Sequence, residues 1–281
     1  MMSAHPIFFT GTGHGAVAAL RSLIRVFPSL EIVAGDPNVA ALARPHDRLL
    51  KAPEDASGQL GIMAGHLKLL TPNFLSRKTV LNVHYSLLPK YRGLHAVAWA
   101  MLNCEPELGW SVHVVNEYVD DGPIVFQRAM LYRGETSAQI MAAFDSQVES
   151  CLGGVIEDYL SGRLGPVPQD RSRATWVPRR NRESCVIDFR WPADRLSALF
   201  KVLVPPYPFP ILRTQRGEYN VIEADVVRRD YFCDLGRIVN IDSDGVWIKC
   251  ADSLLVIRKL ESSVGRTDAR ELFSFGSWLS K

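Results

Sequence analysis

The sequence has no long apolar run. Its longest stretches fall well short of the roughly 18–20 residues that cross a bilayer, which excludes a membrane-spanning helix. An excess of one charge is also missing. Lys and Arg number 32 against 30 Asp and Glu, a formal net charge of +2 over 281 residues, so no global field draws the chain to nucleic acid or membrane. Cysteine is scarce: five residues, at 104, 151, 185, 233 and 250, with no CxxC pair and no zinc-like spacing. They read as buried reduced thiols, which fits a cytoplasmic location. The first residues have no basic region ahead of an apolar run, so no secretory leader is expected. Repeats and low-complexity tracts are absent. At 47% apolar and 22% charged, the composition excludes a disordered, collagen-like or coiled-coil chain. His84, His95 and His113 fall on different elements and form neither HExxH nor HxH, so no metal is expected.

What remains is a chain long enough to bury a core without staples and, by length, to form about two domains. Residues 6–10 are apolar and end in Gly11-Thr12-Gly13-His14-Gly15, a strand followed by a tight turn. Residues 16–27 place Ala19, Leu20, Leu23, Ile24 and Phe27 at helical spacing. Apolar runs at 30–34, 61–64 and 79–84 continue the alternation of strand and helix. One short helix opens with Thr71 as N-cap and Pro72 at its first position. That alternation predicts an α/β fold with a mostly parallel sheet. Residues 107–115 and 124–131 read as neighbouring strands, and 136–160 as the longest helix. The segment 163–182 carries six Arg against one Asp, with Pro166, Pro168 and Pro178, and reads as a solvated linker. A helix over 192–203 is stopped by Pro205-Pro206-Tyr207-Pro208-Phe209-Pro210. Short β-like runs with turns at 242–245 and 251–253 follow. The expected division is an α/β core over 1–162, a linker with closing helix and proline turn over 163–210, and a small β-rich C-terminal domain over 211–281.

The glycine turn has GxGxG spacing, not the GxGxxG of dinucleotide sites, and Asp36 lies only near the end of the second strand. It reads as a structural turn. The informative stretch is 81–122. Asn82 and His84 stand two apart on one strand, so their side chains share a face. They lie at the strand's C-terminal end, beyond which open α/β sheets bind ligands. Asp120 and Asp121 lie in a later turn. An amide that donates to a developing oxyanion, an imidazole that moves a proton and a carboxylate that orients or charges it suit acyl transfer. A buried polar pair satisfied by backbone also accounts for Asn82 and His84 at this point.

The order Asn82-x-His84-x-Ser86-Leu87-Leu88-Pro89-x-Tyr91-Arg92-Gly93, then Trp99-Ala100, Gly109-x-Ser111-x-His113 and Asp120-x-Gly122, resembles the formyltransferase family that uses 10-formyltetrahydrofolate. Similarity is strong over 61–131, weaker through Pro178 and over 187–210, and thin at both ends. The resemblance implies a Rossmann-like core with 10-formyltetrahydrofolate as co-substrate at the strand ends, and no metal or redox cofactor. It implies Asn82, His84 and Asp120 as catalytic residues. Ser86, Leu87, Leu88 and Pro89, with Asn116 and Glu117, would hold the pteridine side, largely through backbone groups. Lys90, Tyr91 and Arg92 would meet the acceptor. A primary amine would attack the formyl carbon, with Asn82 and protonated His84 steadying the oxyanion. Asp120 would raise the His84 pKa, while Asp121 is expected to be a solvated turn residue.

Members of this family differ in their acceptor. Only a short interval separates residues 30–34 from Gly61, leaving little room for the long basic loop of the tRNA enzymes. The chain is nearly neutral, whereas tRNA binding rests on many phosphate contacts. Residues 192–225 resemble the nucleotide-sugar N-formyltransferases, which supply formylated sugars for surface polysaccharides such as lipopolysaccharide O-antigen. The expected acceptor is therefore the amine of a nucleotide-linked amino-deoxy sugar, with no nucleic acid and no membrane as partner. A β-rich tail also occurs in methionyl-tRNA formyltransferases, which keeps that activity as an alternative. A non-catalytic folate-binding regulator is a third reading, opposed by the intact Asn82, His84 and Asp120 set. The resemblance further implies a homodimer.

Overall fold

The computed structural model describes residues 6–66 and 68–279. The first five residues, on which the expected lack of a leader partly rests, lie outside the described residues. Two compact units are present. One comprises the chain up to Ala100, Pro106–Tyr132 and Gln139–Pro178; the other comprises Met101–Glu105, Arg133–Ala138 and the chain from Arg179 onward.

In the first unit the buried apolar strand β1 (Ile7–Gly11) leads into α1 (Gly13–Val26), whose Ala16, Ala19, Leu20 and Leu23 face inward. Then come β2 (Leu30–Val33), α2 (Pro37–Ala40), β3 (Arg48–Leu50), β4 (Leu60–Ala64), α3 (Pro72–Leu75) and β5 (Thr79–His84). They are followed by β6 (Arg92–Gly93), α4 (Ala96–Leu102), whose last two residues belong to the second unit, β7 (Glu107–Val114), β8 (Ile124–Leu131), α5 (Ser137–Leu160), whose first two residues do likewise, and β9 (Trp176–Val177). The main sheet has the order β3-β2-β1-β4-β5-β7-β8. The pairs from β3 to β5 are parallel, while β7 runs antiparallel to β5 and to β8. The expected mostly parallel core is therefore present. Phe8, Val33, Leu50, Met63, Phe74 and Val80 cluster within it, the rings of Phe8 and Phe74 meeting edge-on at 5.9 Å. Thr71 caps α3 by accepting the Phe74 N–H, as its spacing predicts.

The glycine turn is structural. A Cβ on Gly11 would lie 2.2 Å from the Ala64 carbonyl oxygen and 2.8 Å from Ala16 Cβ, so β1, β4 and α1 meet only because that atom is missing. Asp36 accepts the N–H groups of Gly13, Asn38 and Val39, capping the start of α1 and α2 together.

The second unit holds α6 (Ala193–Val202), β10 (Ile211–Thr214), β11 (Gly217–Arg228), β12 (Ile238–Asp242), β13 (Gly245–Lys249), β14 (Ser253–Ser262), β15 (Gly265–Asp268) and α7 (Ala269–Leu272). Its strands form an antiparallel sheet, ordered β10-β11-β14-β13-β12 with β15 on β14, which is the expected β-rich tail. All five cysteines are free thiols, but Cys185 and Cys250 alone are buried and Cys104 is exposed. Among the described residues no helix is long and apolar enough to cross a membrane.

Candidate active site

β5 delivers Asn82 and His84 to one buried face. Because β7 runs antiparallel to it, His113 stands opposite Asn82, and Ser111 opposite His84. The turn between β7 and β8 then brings Asp120 back to the same place. Its backbone is left-handed (φ 50°), a conformation that costs a non-glycine residue about 1–3 kcal/mol and persists only where the surroundings enforce it. Gly122 lets this turn close: a Cβ there would lie 1.7 Å from the Val114 carbonyl oxygen.

The side chains converge on the Asp120 carboxylate. Asn82 Nδ2 donates to Asp120 Oδ1 at 3.3 Å and to His113 Nε2 at 3.1 Å. His113 Nε2 is 3.3 Å from Asp120 Oδ1, and His84 Nδ1 is 3.6 Å from Asp120 Oδ2. The Gly93 N–H donates to Oδ2 at 2.8 Å. His84 Nε2–H donates to the Tyr91 carbonyl at 2.9 Å, and His113 Nδ1–H to that of Val114 at 3.0 Å. Those two carbonyls set the tautomers: His84 is left with Nδ1 towards Asp120, and His113 with Nε2 to accept from Asn82.

Burial pushes the His84 pKa below 6.5 and outweighs the upward pull of Asp120 and of the Tyr91 hydrogen bond. The expected rise is therefore reversed, because the ring is enclosed more completely than a strand end suggests. Burial also works against the Asp120 carboxylate. There it is outweighed by the pull of His84 and by the Gly93 N–H, which help hold the group well below the usual carboxylate range. Near neutral pH the site pairs an ionised carboxylate with a neutral imidazole.

The other predicted residues take varied places. Ser86 Oγ donates to the Lys90 carbonyl at 2.8 Å. Ser111 Oγ donates to the Ser86 carbonyl at 2.6 Å and accepts the Leu88 N–H at 3.2 Å, while the Gln127 amide donates to the Leu88 carbonyl at 2.8 Å. Ser86 and Leu88 thus spend backbone groups on stiffening their own loop. Leu87, Pro89 and Lys90 are half-buried beside them. Asn116 Oδ1 accepts the Tyr118 N–H, and Glu117 is exposed. Tyr91 is buried with φ 58° and supports His84 through its carbonyl.

Arg92 differs most from a surface contact. It is 3% exposed; its Nη1 meets Asp121 Oδ1 at 2.5 Å, and its Nε and Nη2 meet Gln169 Oε1 at 3.2 and 2.7 Å. Asp121 is correspondingly not a solvated turn residue. Its side chain is 8% exposed and also pairs with Arg171 at 2.9 Å. Nor is 163–178 a free linker, since β9 pairs with β6 and Val167 bridges to Ile124. Sequence reasoning did not select His113 as a site residue. The alternation Gly109-x-Ser111-x-His113 carried the signal, because it puts a histidine on the same strand face as the serine.

Two family matches cover most of the chain: formyl transferase over residues 36–156, and the formyl transferase C-terminal domain over 180–274. The chain is 30% identical over 216 residues to the methionyl-tRNA formyltransferase of Roseiflexus castenholzii, a span of 74% of this chain and 67% of that enzyme. The N-formyltransferase of Helicobacter canadensis, solved in complex with folinic acid and dTDP-3-aminofucose, superposes with a TM-score of 0.67 at 14% identity over 90% of this chain and 98% of its own. HypX from Aquifex aeolicus, solved with tetrahydrofolic acid, gives a TM-score of 0.63 at 16% identity over 96% of this chain and 47% of HypX, so the chain spans about half of that protein. At these identities the two structures share the fold.

Proposed function

Because this chain belongs to the formyltransferase family, we propose that it moves a formyl group from 10-formyltetrahydrofolate to the primary amine of a nucleotide-linked amino-deoxy sugar. The observation that carries formyl transfer is the convergence of Asn82, His84 and His113 on the Asp120 carboxylate within 3.6 Å. The amine attacks the formyl carbon while neutral His84 takes its proton at Nδ1. The resulting imidazolium lies between the Tyr91 carbonyl and Asp120, which stabilises it. Asn82 turns its longer-bonded N–H from Asp120 to the oxyanion; ligand-free contacts of this kind are often loose and re-aim in the complex. The C–N bond to the folate then breaks, and the leaving nitrogen takes the proton. The folate lies against the 86–89 loop and the 116–122 turn, where Tyr118 exposes an aromatic ring.

The sugar-nucleotide acceptor is supported by the near-neutral charge of +2 and by the short interval between β2 and β4, which α2 and β3 fill without a basic insertion. The dTDP-3-aminofucose bound in the H. canadensis structure agrees with it. Methionyl-tRNA is the second reading, favoured by the Roseiflexus relative. The cysteine pattern fits the cytoplasm, and the family resemblance a homodimer. The test is a panel of 3-amino and 4-amino dideoxy sugar nucleotides, with methionyl-tRNA alongside, incubated with 10-formyltetrahydrofolate and read by mass spectrometry. A formyl gain on a sugar nucleotide is expected; gain on methionyl-tRNA alone overturns the acceptor, and gain on neither overturns the activity.

A further inference from the structure

The segment after α5 is tied to the site at successive residues. Val167 and Ile124 exchange backbone hydrogen bonds of 2.8 Å each way. Gln169 Nε2 donates to the carbonyls of Asp120 and Gly122 at 2.8 and 2.7 Å. The Thr175 hydroxyl accepts the Tyr91 N–H at 2.8 Å, and its carbonyl accepts the Arg92 N–H at 2.9 Å. The Val177 carbonyl accepts the Leu94 N–H at 3.2 Å. These ties reach Asp120 from both ends. Gly93, which holds the carboxylate, belongs to a strand that exists as the partner of β9. Gln169 holds the backbone of the same residue.

We propose that Gln169 is a positioning residue for formyl transfer, fixing the Asp120 turn so that its carboxylate stays on His84 and Asn82; this rests on the formyl-transfer reading above. Only a primary amide fits the place. It needs two N–H donors for two carbonyls at one end and an acceptor for Arg92 Nε and Nη2 at the other. Glutamate could accept from Arg92 but has no donor for the carbonyls. The left-handed backbone of Asp120 explains why such a tie is required: without it the turn has a lower-energy alternative.

Gln169→Glu and Gln169→Leu test this with the donor and acceptor that the wild type uses. In both, kcat is expected to fall at least about tenfold, with KM for the donor within about threefold, the pattern of an interaction realised in the transition state. In Gln169→Leu the His84 ring, followed by NMR titration without turnover, should lose the upward pull of Asp120 and titrate at lower pH. Wild-type kcat in Gln169→Glu would overturn the proposal, because contact with Arg92 would then suffice. An unmoved His84 titration would overturn it as well. So would failure of Gln169→Glu to fold, since the residue would then serve the fold alone. Absence of formyl transfer in the wild type would count instead against the function, and the His84 titration would still decide the role of Gln169.

Discussion

Asn82 and His113 face each other across the antiparallel pair of β5 and β7, the Asn82 amide donating to His113 Nε2 at 3.1 Å. Since His113 gives its Nδ1 proton to the Val114 carbonyl, its other nitrogen must accept. The histidine therefore orients the asparagine with its N–H groups, not its oxygen, towards the reacting centre.

Asn82→Ala should lower turnover at least about 100-fold, the usual cost of losing one donor to a developing oxyanion, and His84→Ala at least about 100-fold, the usual cost of losing a general base. Donor binding should stay within a few fold, because both groups act on charge that forms in the transition state. Steady-state kinetics beside calorimetric titration of the folate checks this. His113→Leu should reduce turnover less than Asn82→Ala, since it frees the amide to rotate but leaves it in place.

Acid should destabilise the fold through His84. Its folded pKa lies below 6.5, so its stabilising contribution is complete above the unfolded value and is lost as pH falls towards the folded one. Asp120 acts in the same sense at lower pH, because its folded pKa is depressed. Melting temperatures of the wild type and His84→Gln between about pH 7.5 and 5.5 should move relative to each other, with the variant gaining as pH falls. A constant difference would contradict the direction of the His84 shift.

Asp121→Asn should weaken the fold. It leaves Arg92, 3% exposed, without its carboxylate, and breaking a buried ion pair from one side costs on the order of 3 kcal/mol. Urea unfolding should show a lower midpoint at unchanged slope. Asp120→Asn should instead nearly abolish turnover, because its charge faces His84.

Acceptor turnover should not collapse between low and physiological salt. An enzyme neutralising many RNA phosphates loses affinity steeply over that range through counterion release. Steep salt dependence, with tight tRNA binding, would support the second reading of the acceptor.

The fold was legible where apolar runs alternate with helical periodicity. Residues 79–84 are a strand throughout, and the 136–160 stripe became α5 with one residue's difference at its start. The shared face of Asn82 and His84 follows from the period of a strand. His113 was harder to see, since its place depends on which strand pairs with β5 and in which direction. The 163–178 segment misled because six arginines and three prolines across 163–182 resemble a solvated chain. Its ties to the site are a two-residue pairing and side chains such as Gln169, neither of which leaves a periodic trace. The Arg92–Asp121 pair joins residues 29 apart, and no spacing rule links them. The sign of the His84 shift needs the degree of enclosure, a property of the packed chain.

The ties made by 167–177 also set an order of events in biosynthesis. A nascent chain that has emerged as far as the end of α5 already contains Asn82, His84, His113 and Asp120, and it can form the strands that bear them. It lacks the stretch that secures the Tyr91–Leu94 and Asp120–Gly122 loops. Contacts that span so much sequence form late, because loop closure must precede them. A ribosome-bound intermediate of that length should therefore carry every reacting group and yet be inert, gaining competence only when the chain has been extended through Val177.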